Sequence, residues 1–202
     1  MKAFNKAEIV WISVTFLILF AISYPNFIIS LRRARDVTRK SDIGAIANGL
    51  NEFFEDFGTY PLSSEDGRII GCLKEGTTPG VDKKERLTVD LSPCKWGEEP
   101  LIDLTPGSTK IYLSVVPVDP NNSKEVKYRY FSNGRKFQIF TALEGSDEPE
   151  FDPKVLARSI DCGVWKCNMG RASADGPVNI SIEQWETQIE EARKKQESGI
   201  RN

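Results

Sequence analysis

The fold is decided by residues 4–57, which read FNKAEIVWISVTFLILFAISYPNFIISLRRARDVTRKSDIGAIANGLNEFFEDF. From Ile9 to Ile29 this stretch carries no charged residue, and about 20 helical residues span roughly 30 Å, the thickness of a bilayer core. The alternative is the buried core helix of a soluble protein. Because a run this apolar seldom occurs in a small soluble domain, we predict a transmembrane helix over residues 4–30.

The second half of the stretch, residues 31–58, is amphipathic. Its apolar residues recur at steps of three and four, which predicts a helix with one buried face: Ile43, Ile46, Leu50, Phe53, Phe54 and Phe57. Its polar residues are expected to lie mostly on the outer face: Asp36, Arg39, Lys40, Asp42, Asn48, Glu52 and Glu55. Gly58 is a natural C-cap, so a single helix is predicted from near Lys6 to Phe57.

Two residues in the apolar half are unusual for a lipid-facing helix. Glu8 lies at its edge, where a carboxylate is costly and usually has a partner, although it could also reach the headgroups and water. Pro25 removes a backbone donor and crowds the preceding turn, so we expect the helix to bend there. Residues 1–3 form a short leader with no small-x-small cleavage site after the apolar run, unlike an ordinary signal peptide.

The cysteine count indicates an oxidising compartment. The chain has 202 residues and four cysteines, and an even number behind a membrane segment favours two disulfides over free thiols. Cys72 and Cys94 bracket a long connection, and Cys162 and Cys167 suit a short local loop. Paired Cys-x-x-Cys spacings are absent, which disfavours a zinc site.

Charge and cysteines disagree about orientation. Five basic residues follow the apolar run, and only Lys2 and Lys6 precede it, so a simple positive-inside count places the following domain in the cytoplasm. The five are Arg32, Arg33, Arg35, Arg39 and Lys40. We follow the cysteines and predict the domain outside the cytoplasm, because a large domain can translocate despite local charge.

The remaining chain predicts one small head domain. Residues 59–109 form a largely irregular loop bracketed by Cys72 and Cys94, with a short strand at 87–91, and residues 110–180 form an antiparallel sheet. The clearest hairpin joins residues 126–131 to 136–143 through Asn133-Gly134, predicted as a type I′ turn. That turn would pair Tyr130 with Phe137, Tyr128 with Ile139 and Val126 with Thr141, and place Lys127, Arg129, Lys136 and Gln138 on the opposite face. We expect the aromatic face to cover the apolar stripe of the helix rather than to stack on nucleic acid.

Two charged segments complete the chain. The acidic loop, residues 145–153, carries Asp147, Glu148, Glu150 and Asp152 without the spacing of a calcium loop, so a solvated loop is expected. Residues 181–202 form a charged helix or tail, in which Ser181 and Gln184 are spaced as a capping box.

The composition disfavours an enzyme. The chain has no histidine, which removes the commonest general base and metal ligand, and it has no glycine-rich phosphate loop. A net charge of −2 and scattered basic residues indicate no nucleic-acid footprint. We expect a structural or binding role, without catalytic residues, cofactor or metal.

Several motifs then form one recognisable set. They are Pro25-Asn26-Phe27, Ala34-Arg35-Asp36, Arg39-Lys40-Ser41-Asp42-Ile43, Gly58-Thr59-Tyr60-Pro61, Pro117-Val118-Asp119-Pro120 and Cys167-Asn168-Met169-Gly170. With the apolar helix, they resemble type IV pilins and the related pseudopilins of type II secretion. If the mature chain starts at Phe4, Glu8 is its fifth residue and Pro25 its twenty-second, where that family carries an acid and a proline kink. Ala3 stands where the family usually has glycine.

The resemblance implies an α+β pilin fold, in which the long helix packs against a small antiparallel sheet. It also implies that a prepilin peptidase cleaves the chain between Ala3 and Phe4 and methylates the new N-terminal amine of Phe4. The protein would be a single-pass inner-membrane protein with its head outside, assembled by a membrane platform with identical or related subunits into a surface or periplasmic filament. The alternative from the residues is a membrane-anchored extracytoplasmic binding module that does not polymerise.

Overall fold

The computed structural model describes residues 5–81 and 87–199. One helix, α1 (Lys6–Phe57), runs without a break through Pro25 into the amphipathic half, which confirms the predicted helix. It ends at Gly58, which has φ of 69° and donates its backbone N–H to the Phe54 carbonyl at 2.8 Å. Glycine is suited to this left-handed cap because it has no side chain to clash.

The rest of the described chain consists of short elements. They are β1 (Leu62–Ser63), β2 (Ile69–Leu73), β3 (Gly80–Val81), β4 (Leu87–Thr88), β5 (Leu91–Pro93), β6 (Leu101–Ile102), β7 (Ile111–Leu113), β8 (Arg129–Ser132), β9 (Phe137–Thr141), α2 (Pro153–Ala157), β10 (Met169–Ala172) and α3 (Ile182–Gly199). Residues 59–109 are therefore less irregular than expected, since they contain six strands, and the strand predicted at 87–91 is reduced to β4.

The strands pair antiparallel in small sheets. One has the order β10-β9-β8, a second has the order β1-β2-β5, and two further pairs are β3-β4 and β6-β7. Helix α1 packs against β7, β9 and β10. The fold class is therefore α+β, a long N-terminal helix with small antiparallel sheets, as predicted.

The predicted hairpin exists, but its register is wrong by two residues. Tyr130 pairs with Ile139 and Ser132 pairs with Phe137, so residues 133–136 form a four-residue loop rather than a two-residue type I′ turn. Within this loop only Gly134 has positive φ, at 83°. The Asn133 side chain accepts the backbone N–H groups of Arg135 and Lys136. A shift of two residues keeps every side chain on its predicted face.

The aromatic face of this hairpin covers α1, as predicted. Ile43, Ile46 and Leu50 of α1 are fully buried in the same core as Tyr130 and Phe137. Phe53 and Phe54 pack at its border. The rings are therefore core residues, not an open stacking surface.

The opposite face of β9 is also buried, contrary to expectation. Phe140 packs in a second core with Val155 and the Cys162–Cys167 disulfide. Gln138, predicted on the outer face, is 1% exposed because the chain leading into α3 covers it. Its amide donates to the carbonyls of Pro177 and Ile180 at 2.7 and 2.8 Å, which satisfies the buried group.

Both disulfides are present as predicted. Cys72–Cys94 joins β2 to the residue after β5, and Cys162–Cys167 closes a short loop before β10. The capping box before α3 is also confirmed: Ser181 Oγ accepts from the Gln184 N–H at 3.2 Å, and Gln184 Oε1 accepts from the Ser181 N–H at 3.0 Å.

Candidate functional site: the apolar half of helix α1 and its junction with the head

The apolar half of α1 lies outside the head and is exposed along its length. None of its most apolar window is buried, and Trp11, Phe16 and Leu17 are each about 70% exposed. By length and composition this is one helix able to cross a membrane. Exposed apolar surface of this extent requires lipid or another apolar surface to cover it.

Glu8 closes the first turn of α1. Its carboxylate Oε2 accepts the backbone N–H of Asn5 at 2.9 Å, which satisfies one of the unpaired donors at the helix start. The two residues predicted to flank the processing point, Ala3 and Phe4, lie outside the described residues. Glu8 therefore has a local role in capping the start of α1, in addition to any role for its charge.

Pro25 lies inside the helix without interrupting it. Two polar side chains that follow it bond to the backbone one turn earlier: Asn26 Nδ2 donates to the Ile22 carbonyl at 3.2 Å, and Ser30 Oγ donates to the Asn26 carbonyl at 2.8 Å. Such bonds satisfy polar groups that water cannot reach in lipid. The predicted bend at Pro25 stays a prediction.

A buried ion network, which we call the junction network (Asp36, Arg39, Asp119 and Glu144), joins α1 to the head. Arg39 Nε and Nη2 donate to the two Asp119 carboxylate oxygens at 2.8 and 3.0 Å. Arg39 Nη1 donates to Asp36 at 2.8 Å and to Glu144 at 2.9 Å. Burial alone would lower the pKa of Arg39, but these bonds raise it above its ordinary value.

Asp36 connects this network to the backbone of the head. Its Oδ1 and Oδ2 accept the N–H groups of Glu144 and Gly145, each at 2.9 Å. Asp36 and Arg39 are both fully buried, whereas the helical pattern placed them on the outer face. The correction has a physical cause: the chain at Pro117–Asn121 and the start of the acidic loop cover this side of α1 and bring compensating charges with them.

The acidic loop and the preceding Glu144 are ion-paired with α1, while Asp147 and Glu150 of the loop also remain about half exposed to solvent. Arg35 donates to Glu144 twice at 2.6 Å, and Lys40 Nζ lies 2.9 Å from Glu148 and 3.0 Å from Glu150. The hydrogen bonds from Arg35 and then Arg39 lower the pKa of Glu144 to about 2.

The pairing continues towards the apolar half of α1. Arg32 lies 2.7 Å from Asp147, and Arg33 lies 3.7 Å from the same carboxylate. Asp152, the last acid of the loop, instead caps α2 by accepting the Lys154 N–H at 2.8 Å. All five members of the basic cluster directly after the apolar run therefore have a carboxylate partner: Arg32, Arg33, Arg35, Arg39 and Lys40.

Tyr128 forms a second polar link between the head and α1. Its hydroxyl donates to Asp42 Oδ2 at 2.7 Å, and burial followed by this bond raises the pKa of Tyr128. Sequence reasoning had placed Asp42 on the outer face. No local signal reveals the pair, because the two residues are far apart in the chain and each fits its own element without the other.

Beside the junction lies a cavity of about 270 Å³ that we call the Trp96 cavity. Trp96, Val118 and Tyr128 supply apolar wall, and Asp119 of the junction network lies at its border. Charged residues complete the lining, among them Arg68 and Lys127. Over residues 5–81 and 87–199, no group of three or more acidic or thiol side chains is placed to hold a metal ion.

Comparisons with known proteins add no relative. Neither the family models, the curated proteins nor the solved structures give a match to this chain.

Proposed function

We propose that this chain is a non-enzymatic structural subunit, a pilin or pseudopilin, of a type IV pilus-like helical filament. One observation carries the proposal. A single unbroken helix is entirely exposed and apolar over its first half and is the spine of the head over its second half. A mere anchor needs no such continuity, since any linker would tether a head to the membrane.

The same apolar surface suits two successive environments. In the membrane, lipid covers it. After extraction, the side chains of identical or related helices in other subunits would cover it, and repetition of one heterologous contact builds a helical filament. Glu8 would then pair with the positive N-terminal amine of a neighbouring subunit, a charge that otherwise lacks compensation in an apolar surround.

The junction supports a single-pass inner-membrane protein with the head outside the cytoplasm. The positive cluster after the apolar run favoured the opposite orientation when counted by itself. In the folded protein its members are paired with acidic residues of the head, as Arg32 is with Asp147 and Arg35 with Glu144. The cluster therefore does not need the anionic lipid of the cytoplasmic leaflet, and both disulfides suit an oxidising compartment.

The decisive experiment separates the charge of Glu8 from its capping bond. Glu8→Ala removes both, whereas Glu8→Gln removes the charge and keeps an oxygen that can accept the Asn5 N–H. If charge pairing drives assembly, both variants insert into the membrane normally but form few or no filaments by electron microscopy of sheared surface material. Filaments of wild-type abundance from Glu8→Gln would contradict the pairing, and the absence of this chain from any filament in wild-type cells would contradict the function.

Processing is tested by mass spectrometry of the mature N-terminus. A chain that begins with a methylated Phe4 is expected, following cleavage after Ala3 by a prepilin peptidase. A membrane-retained chain that begins at Met1 would contradict it.

Orientation is tested with a single thiol near the C-terminus. Ser198→Cys places it on the exposed face of α3, and both native cysteine pairs are bonded. A membrane-impermeant maleimide should label this variant in spheroplasts without lysis. Labelling only after lysis would place the head in the cytoplasm.

A second candidate is a membrane-anchored extracytoplasmic binding module that does not polymerise. The Trp96 cavity favours it, because a filament subunit needs no ligand site. A membrane-retained protein in cells without filaments would support this candidate over the first.

A further inference from the structure

We propose that the Trp96 cavity binds an acidic saccharide, such as a uronic acid residue of a surface or matrix polysaccharide. The inference goes beyond the proposed function, because a subunit could assemble with or without a ligand on its head. It rests on two observations: which polar groups around the cavity already have a hydrogen-bond or ion-pair partner, and which aromatic and aliphatic residues line it.

The acidic groups at the cavity are already engaged. Asp119 is 1% exposed, and both its oxygens accept from Arg39. Asp66 accepts from Arg68 at 2.7 Å and from Ser64 at 2.5 Å. Both carboxylates therefore already have a cationic partner within the chain.

The uncommitted polar groups are donors. Lys127 is exposed at the cavity and has no ion pair within the described ranges, whereas the neighbouring Arg129 is paired with Asp161 at 2.6 Å. The Asn122 side-chain amide, also in the lining, makes no hydrogen bond to any described residue. A carboxylate would pair with the Lys127 ammonium, and hydroxyls, which both donate and accept, would suit the Asn122 amide.

The wall of the cavity selects a ring over a small acid. Trp96 is partly exposed and supplies most of the aromatic surface, the Tyr128 ring 5.8 Å away between centroids is 4% exposed, and Val118 extends the apolar wall. The C–H face of a sugar ring packs on such aromatic surface while its hydroxyls bond at the edges. A pyranose with a carboxylate therefore matches the apolar wall at Trp96, the Asn122 amide and the Lys127 ammonium together.

The polar frame is held in place before a ligand arrives. The Tyr128 hydroxyl is fixed by Asp42 at 2.7 Å, and the Arg129 side chain also donates to the Asp161 backbone carbonyl at 2.5 Å. Because these wall residues are immobilised by folding, the ordering required on binding is confined to the Lys127 and Asn122 side chains. The mobile group is the Lys127 ammonium, which can adjust to the position of a carboxylate.

The test compares three probes on the full chain in detergent micelles. Glucuronate carries the ring and the charge, glucose has the same ring without the carboxylate, and acetate has the charge without the ring. Saturation-transfer difference NMR titrations should give an affinity for glucuronate about tenfold or more above either of the others. Equal affinity for glucuronate and glucose, or no saturation transfer to glucuronate, would overturn the proposal.

Two variants locate the site. Lys127→Gln should weaken glucuronate binding about tenfold, whereas Lys124→Gln, an exposed lysine outside the lining, should leave it unchanged. Trp96→Phe should also weaken binding, because it removes ring surface while keeping an aromatic residue in the wall. Wild-type binding by Lys127→Gln would overturn the assignment, and since binding is measured on unassembled protein, the outcome is independent of filament formation.

Discussion

Arg39 and Asp119 form a fully buried ion pair, with Arg39 Nε 2.8 Å from Asp119 Oδ2 and neither side chain exposed. The two residues lie 80 positions apart in the chain. This pair, with Asp36 and Glu144, is where the exposed apolar half of α1 gives way to the half that belongs to the head. Any force on the apolar half of α1 reaches the head through this part of the helix.

Removing Arg39 should be strongly destabilising. Arg39→Met leaves buried carboxylates without compensation, so we expect a loss of about 3–5 kcal/mol in the free energy of unfolding, measured by denaturant titration of the full chain in detergent. Arg33→Met is the matched control, because Arg33 is exposed and only 3.7 Å from its partner, and should cost less than about 1 kcal/mol. Equal effects would show that the junction network does not stabilise the head.

Glu144 should make the head sensitive to acid. Its folded pKa of about 2 lies below its ordinary value of 4.5, so its stabilisation is present above pH 4.5 and is lost as the pH falls towards 2. After allowance for solvent screening this amounts to about 1–2 kcal/mol.

The acid effect is measured as the free energy of unfolding at pH 7, 4 and 2. Glu144→Gln should reduce the dependence on pH over this range, while Glu98→Gln, an exposed residue outside the junction, should retain it. An unchanged dependence in Glu144→Gln would show that other carboxylates carry the acid response.

Two glycines of α1 should respond oppositely to alanine. A Cβ at Gly49 would lie 2.8 Å from the Tyr112 carbonyl oxygen and 2.9 Å from Leu113 Cγ, whereas a Cβ at Gly44 would have nothing within 4 Å. Gly49→Ala should therefore lower the melting temperature. Gly44→Ala should raise stability by about 0.5–1 kcal/mol through helix propensity alone. A stabilising Gly49→Ala would mean that β7 does not pack against α1 as described.

The two disulfides should contribute unequally. Cys72–Cys94 spans 22 positions and Cys162–Cys167 spans five, and loop-closure entropy predicts losses of about 3 and 2 kcal/mol when each pair is replaced by serine. The comparison requires each double variant to be unfolded by denaturant under non-reducing conditions. A larger loss from the shorter loop would show that the second core around Phe140, rather than chain entropy, depends on its disulfide.

Local patterns predicted a large part of this structure. The limits of α1, its buried stripe from Ile43 to Leu50, the Gly58 cap and the capping box at Ser181 all depend on residues within a few positions of one another. The hairpin register is a feature that local patterns did not predict correctly. Asn133-Gly134 predicted the position of the turn and the faces of the strands, but the Asn133 side chain closes a longer loop and moves the register by two residues.

By itself, the sequence determined the unbroken helix, the apolar half that needs lipid or another apolar surface to cover it, both cysteine pairs and the α+β class. Only the tertiary structure decided that Asp36 and Arg39 are buried and that the acidic loop is paired with α1. The reason is physical. Helical periodicity assigns a charged residue to solvent, because an isolated charge is costly to bury. Arg39 is an exception because Asp119, which is distant in the chain, carries the opposite charge and pairs with it in the interior.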